Sequence, residues 1–481
     1  MCRHYIGTLC KIFLHFLTGT DNHQNHYLSV LIQTTEGNRP IVFLYRLIHL
    51  DQVEENAVAL KDALKKVLEA DGLWDIVKEK LVGLITDGAA TMIGRHAGLG
   101  RVLEREIGRK IDIKHHCLAH RYDLMTENSM KGFSMFDYFE KGLKSAYSFY
   151  HTSHKRQNSL NQFVKEINEP KFRLATIFDV RWISSFRIAV DKVKKHYMAL
   201  VKHLDFVFDN IQMFVSGNAE TIERFENKVQ NIKDFLTNKF ALSLMHFNYD
   251  VIDLFSKESQ YTQRKGATLI GMGERKKQLL KNLNDIKEHK GENFKQFLSE
   301  CSCFRTQLQV NKFLQNKIPK KACADLQAFE RSPYVVYKGI VAKDTKLKVP
   351  NIDRIELQFG KISAMIGPYV DELVEKVNSY MPDKELSKFD GLDQTLWFKD
   401  DSWTTPNLKE VAQMFGVNPR LVQKQFEELI EKLRTEEHWW CENFASAPEF
   451  FWAAVLNRQN PGQDLADLIR KILVVPMGML I

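Results

Sequence analysis

Residues 26–49 read HYLSVLIQTTEGNRPIVFLYRLIH. Two β-branched and aromatic runs flank a Gly-Asn pair of the kind expected of a tight hairpin. Such a chain must build a sheet that is antiparallel on one side. The helix-period stretch EENAVALKDALKKVLEA follows, with Leu60, Leu64, Val67 and Leu68 on one face. Next come a strand at KLVGLIT, a helix near GLGRVLEREIG, a strand at KIDIKHHCL and a helix through LMTENSMKGF. A hairpin followed by alternating helices and strands predicts a mixed α/β sheet. In open α/β sheets, functional groups collect at the carboxyl ends of strands. Asp87, directly after the apolar run LVGLIT, falls at such an end.

The chain of 481 residues is too long for one core, and its texture changes twice. Residues 1–150 carry the strand signals, 151–385 read as Lys- and Phe-rich helices, and 386–481 as helices rich in tryptophan. No apolar run approaches the ~20 residues needed to span a bilayer, so no membrane partner is expected. LCKIFLHFL near the start is broken by Lys11 and His15 and reads as a strand rather than a signal peptide. Seven scattered cysteines without a Cys-x-x-Cys argue for a reducing compartment and against a disulfide framework. The net charge is +8, and residues 261–321 hold 14 Lys/Arg against 5 Asp/Glu. That stretch, which includes Lys276 and Lys277, suits contact with phosphates or, equally, a solvated helical face.

Four stretches occur in order: HYLSVLIQ after Asp21, ITDGAATMIGR at 85–95, HCLAH at 116–120 and VRWISS at 180–185. Together with the C-terminal FWAAVLNRQNPGQDLADLIRKILVVP, the series resembles the hAT superfamily of transposases and their host-adopted descendants. The resemblance implies an RNase H-like α/β mixed sheet interrupted by a large all-α insertion, then a helical C-terminal dimerisation segment, here cut short. It also implies a metal site of Asp-Asp-Glu type, in which two divalent ions (Mg2+ or Mn2+) activate the attacking oxygen and stabilise the leaving one.

Asp87 matches the second member of that set. The first is in trouble: LTGTD aligns Thr20 and Asp21 with the family's trailing Thr-Asp, leaving Leu17 at the carboxylate's place. Asp21 could serve only by a register shift. The family's glutamate follows the proline of the dimerisation segment, where this sequence reads VVPMGMLI. Asp464 and Asp467 lie upstream and read as the polar face of an amphipathic helix. Asp87 alone is then expected as a vestigial ligand, and Mg2+ or Mn2+ only in an active protein.

By the same resemblance Arg181 would lie beside phosphate and Trp182 would stack on a displaced base; Trp182 reads equally well as a core residue. Cys117 and His120 are expected to pack and hydrogen-bond beneath the rim. A zinc site joining them to His151 and His154 is the alternative, though its spacing is unusual for structural zinc. LKEVAQMFGVNPRLVQKQF at 408–426 has helix-turn-helix spacing, with Ala412, Gly416 and Val422 at the anchor positions. Its second helix would expose Arg420, Gln423 and Lys424, although many helical hairpins share the pattern.

The expectation is a catalytically inactive, nuclear, transposase-derived protein that binds DNA and dimerises with itself or related chains. Two alternatives stay open. One is an active metal-dependent transposase or nuclease, completed by Asp21, Asp87 and a carboxylate such as Asp179 or Glu437. The other is a protein-interaction module without affinity for nucleic acid.

Overall fold

The computed structural model describes residues 11–20, 25–50, 56–88, 90–94, 97–178, 182–264, 266–320, 322–323, 325–344, 361–399 and 402–477. The chain forms two compact units. The first gathers residues 1–122, 258–278 and 378–481; the second gathers 123–257 and 279–377. The first unit therefore draws on all three textures of the sequence.

In the first unit, strands β1 (Ile12–Thr20), β2 (His26–Glu36), β3 (Arg39–His49), β4 (Leu81–Thr86) and β5 (Ile113–His116) form one sheet in the order β3-β2-β1-β4-β5. The β2–β3 hairpin closes where the Gly-Asn pair predicts. Glu36 pairs with Arg39, and Gly37 and Asn38 both take positive φ (54° and 61°), as a type I′ turn requires. β1 pairs antiparallel with β2 but parallel with β4, and β4 is parallel to β5. The sheet is mixed, as expected.

One face of this sheet packs Ile12, Leu14, Phe16 and Leu84 against Leu60, Leu64 and Leu68 of helix Ala57–Ala70 and Leu99 and Leu103 of helix Leu99–Ile107. Each fully buried aliphatic side chain contributes about 1.5–3 kcal/mol, so the amphipathic stripes read from sequence supply the driving force. Gly83 lets the strands close up: a Cβ there would sit 2.3 Å from the Phe13 ring and 2.6 Å from the Ile113 carbonyl oxygen. His15, in the middle of β1, is fully buried, and burial pushes its pKa down to about 3.

The tryptophans of the C-terminal segment pack on one another. Trp397 and Trp452 are fully buried with ring centroids 5.5 Å apart, and Trp440 lies 6.2 Å from Trp397 and 4.5 Å from Trp403. Helices Pro448–Arg458 and Gln463–Leu473 complete this part.

The second unit is mainly helical, as the sequence suggests, but it is not all-α. Strands β6 (Ser302–Phe304), β7 (Tyr334–Tyr337) and β8 (Ile340–Lys343) form an antiparallel sheet in the order β6-β7-β8. The expectation of an all-α insertion is corrected by these three short strands. The β7–β8 turn, Lys338-Gly339, again has two positive φ values (48° and 76°). Next to this sheet Cys303 and Cys323 form a disulfide with Cα atoms 5.4 Å apart. The expectation of cysteines without a disulfide framework is corrected by this pair, which spacing alone could not reveal because connectivity is not readable from sequence. Among the described residues, no helix is long and apolar enough to cross a membrane.

Candidate functional site

Because β1 and β4 are adjacent and parallel, their carboxyl ends lie side by side. The last pair of their ladder is Phe16 with Thr86, so Leu17 and Asp87 are the next residue on each strand. The position that the resemblance assigns to the first carboxylate thus neighbours Asp87 in space, and it carries a half-buried leucine. One residue further, the Thr18 hydroxyl donates a hydrogen bond to Asp87 Oδ2 at 3.0 Å. Among the described residues of β1, Asp87 therefore meets a neutral donor.

On the other side stands β5, whose His116 pairs with Thr86. His116 Nε2 lies 3.0 Å from the Asp87 carbonyl oxygen. A carbonyl only accepts, so Nε2 must hold the proton of the neutral ring. Burial holds the His116 pKa down to about 4, helped by Arg121 and His120 and opposed by the bond to Asp87 and its charge. His116 is therefore a neutral donor at physiological pH. Gly88 makes the approach possible: its φ is 90°, and a Cβ would fall 2.3 Å from His116 Nε2.

Cys117 extends the ladder, its N–H donating to the Thr86 carbonyl at 3.0 Å, while its carbonyl accepts from Arg121 N at the start of helix Leu118–Lys131. The Cys117 side chain is buried, and the half-buried His120 ring stands 5.4 Å from that of His116. Arg121 points away, donating to the Tyr380 carbonyl (2.8 Å) and Glu385 Oε2 (3.0 Å). The Leu118 N–H donates to the Met477 carbonyl at 3.1 Å, so the segment after Pro476 borders the strand ends.

A pair of divalent ions needs several anionic oxygens converging on it. Among the described residues, no group of three or more His, Cys, Asp or Glu is placed to hold a metal. Leucine beside Asp87 and a threonine hydroxyl on its carboxylate do not fit a Mg2+ or Mn2+ clamp. Asp21 and Asp179 lie outside the described residues, as does the side chain of Glu437. Asp464 accepts from Gln425 Nε2 (3.3 Å), and Asp467 pairs with Lys11 (3.7 Å) and Lys471 (3.6 Å), as a helix's polar face would. Cys117 and His120 belong to the first unit and His151 and His154 to the second, where His151 stacks on Tyr147 at 4.8 Å.

The residues expected to touch DNA fare unevenly. Arg181 lies outside the described residues. Trp182 opens helix Trp182–Lys195 but is only 1 % exposed and stacks on Phe186 at 4.6 Å. It is a core tryptophan, with no free face for a base. The Lys276 side chain is 2 % exposed and paired with Asp383 at 2.8 Å, which removes it from any surface. Lys277 is exposed and pairs with Glu274 at 3.2 Å.

Helices Lys409–Met414 and Pro419–Thr435 are joined by a short turn with Gly416 at φ 63°, and Ala412 and Val422 are fully buried. Gln423, however, is spent internally: Oε1 accepts from Leu408 N (2.8 Å) and Nε2 donates to the Pro406 carbonyl (3.2 Å). Arg420 and Lys424 remain exposed, the latter 3.7 Å from Glu428. Sequence reasoning missed the role of Thr18 and His116. The threonine next to Leu17 and the doubled histidine before Cys117 are the only sequence signals that pointed to them. No protein-family model matches this sequence.

Proposed function

We propose that the chain is a hAT-transposase-derived protein with an RNase H-like sheet that has lost its metal clamp. In this reading it works in the nucleus by binding DNA and pairing with itself or related chains, and it does not cut strands. One observation carries the reading: Leu17 and the Thr18 hydroxyl occupy the β1 side of Asp87, where a metal site of this type needs a carboxylate. The mixed sheet with Asp87 at a strand's carboxyl end supports it, as does the basic stretch 261–321.

The test is calorimetric titration of Mn2+ into the purified chain beside Asp87→Asn, with a DNA-nicking assay on both. The expected result is no stoichiometric uptake and no cleavage by either protein. Uptake that vanishes in Asp87→Asn, accompanied by Mn2+-dependent nicking, would overturn the reading in favour of an active nuclease.

A further inference from the structure

The basic stretch is electrically two different things. Much of its upstream part is neutralised, mostly by acids elsewhere in the chain: Arg264 pairs with Glu449, Arg275 with Glu258, Lys276 with Asp383, Lys287 with Asp371 and Lys295 with Glu292, all within 3.0 Å. The loop closed by the disulfide behaves otherwise. From Cys303 to Cys323 the sequence holds Arg305, Lys312, Lys317, Lys320 and Lys321 and no carboxylate. Arg305, Lys312, Lys317 and Lys320 are all exposed, and among the described residues none of them forms an ion pair.

The loop is folded rather than slack. Phe304 and Val310 pack against Val336, joined by Phe313 and Ile318, and the Phe304 and Phe313 rings are 5.1 Å apart. A capping box of Thr306 and Gln309 starts its helix, Gln307–Leu314. At its base, Cys323 N donates to the Cys301 carbonyl at 3.0 Å and Ser302 bridges Ala322. Buried apolar anchors alternate with outward cations, so the satellite core holds this cationic surface in place without relying on the disulfide, which a reducing compartment would open. Exposed amides at Gln315 and Asn316 stand among the cations, while Gln307 bonds Asn311 and Gln309 serves the capping box.

We propose that this disulfide-closed loop is a nucleic-acid docking element that contacts the phosphate backbone of duplex DNA. Lysine, arginine and side-chain amides are the groups that bind phosphate without reading sequence. A surface with no acid of its own takes its counter-charge from the partner and releases condensed cations on binding. Holding the loop folded beforehand lowers the ordering cost of association. The inference rests on the DNA-binding reading above and gives it a location that neither Trp182 nor Lys276 supplies.

The test compares the full chain with its Arg305→Gln/Lys312→Gln/Lys317→Gln/Lys320→Gln variant. Binding of a short random duplex is followed by fluorescence anisotropy across a salt series, with inorganic polyphosphate as a second probe. All four positions are exposed, and circular dichroism of the variant checks that it folds as the native chain does. For the native chain, log K should fall linearly with log[salt]. The variant's slope should be flatter by roughly 0.9 per lost contact, about 3.6 for all four. Native-chain binding with an unchanged slope in the variant overturns the loop assignment and leaves the DNA reading standing. Absence of duplex binding by the native chain overturns both. In that case, binding to polyphosphate would assign the loop a different polyanion and still overturn DNA as its partner.

Discussion

At the scale of single residues, the strand-end cluster turns on what stands beside Asp87. A neutral hydroxyl from Thr18 and a neutral imidazole from His116 flank it, so among these strand-end residues a single carboxylate stands where a two-ion site needs several. Leu17→Asp should add a second carboxylate there, because position 17 follows the last β1–β4 pair as Asp87 does. The expected outcome is Mn2+ uptake by calorimetry in Leu17→Asp where the native chain shows none, lost again when Asp87→Asn is added. Gly88→Ala should be costly, since the left-handed φ and the 2.3 Å approach to His116 act together. A loss of about 2 kcal/mol or more in denaturant stability is expected, of the size seen when backbone strain and overpacking combine.

His15 provides a pH-dependent counterpart. It is fully buried, and its pKa lies near 3 in the fold against 6.5 unfolded. Below pH 6.5 the unfolded chain binds a proton that the folded chain refuses, so stability is present above that value and drains away towards pH 3. The contribution is roughly 1.4 kcal/mol per pH unit. His15→Leu should flatten the fall of unfolding free energy between pH 6.5 and 4 by about one proton's worth. An unchanged slope would show that the ring reaches solvent or a partner on acidification.

At the scale of elements, legibility followed the strength of local chemistry. Gly37-Asn38 between two long β-rich runs specifies a type I′ hairpin, and the structure has it in register. Lys338-Gly339 makes the same turn, but between strands of only four residues each, too short for alternation to rise above helical texture around them. Burial misled in the same physical way. Trp182 and Lys276 belong to chemical types that bind DNA, yet Trp182 lies on the buried face of its helix beside Phe186 and Lys276 pairs with Asp383 far along the chain. The disulfide was illegible because nothing local distinguishes Cys303 and Cys323 from the other cysteines. Closing a loop of this length constrains the unfolded chain by about 3 kcal/mol. Cys303→Ser/Cys323→Ser should therefore lower non-reducing stability by that order. Dithiothreitol should shift the native midpoint but not the variant's.

At the scale of the whole molecule, the first unit is assembled from segments remote in sequence, and the consequence is cooperative. Met477 N donates to the Ala267 carbonyl, Leu118 N to the Met477 carbonyl, and Asn38 Nδ2 to Asn457 Oδ1 at 2.8 Å. Strands read at the start of the chain thus depend on residues read near its end. Texture alone suggested separable blocks at 1–150 and 386–481, because periodicity reports each element's own face and not which distant element covers it. The tryptophans sharpen the point: Trp397, Trp440 and Trp452 bury against one another inside this unit, so removing them should unfold it before it could alter any pairing between chains. A chain ending at residue 385 leaves those partners out. It is expected to lose amide hydrogen-exchange protection in β1 and β4 as well as near its new end, with the two strands exchanging at the same rate. If β1 and β4 stayed protected in the shortened chain, the sheet would be an independent folding unit and the C-terminal segment free to serve as a dimerisation surface alone. Joint loss would mean that any pairing surface is built on the folded first unit, and dimerisation should then vary with that unit's stability.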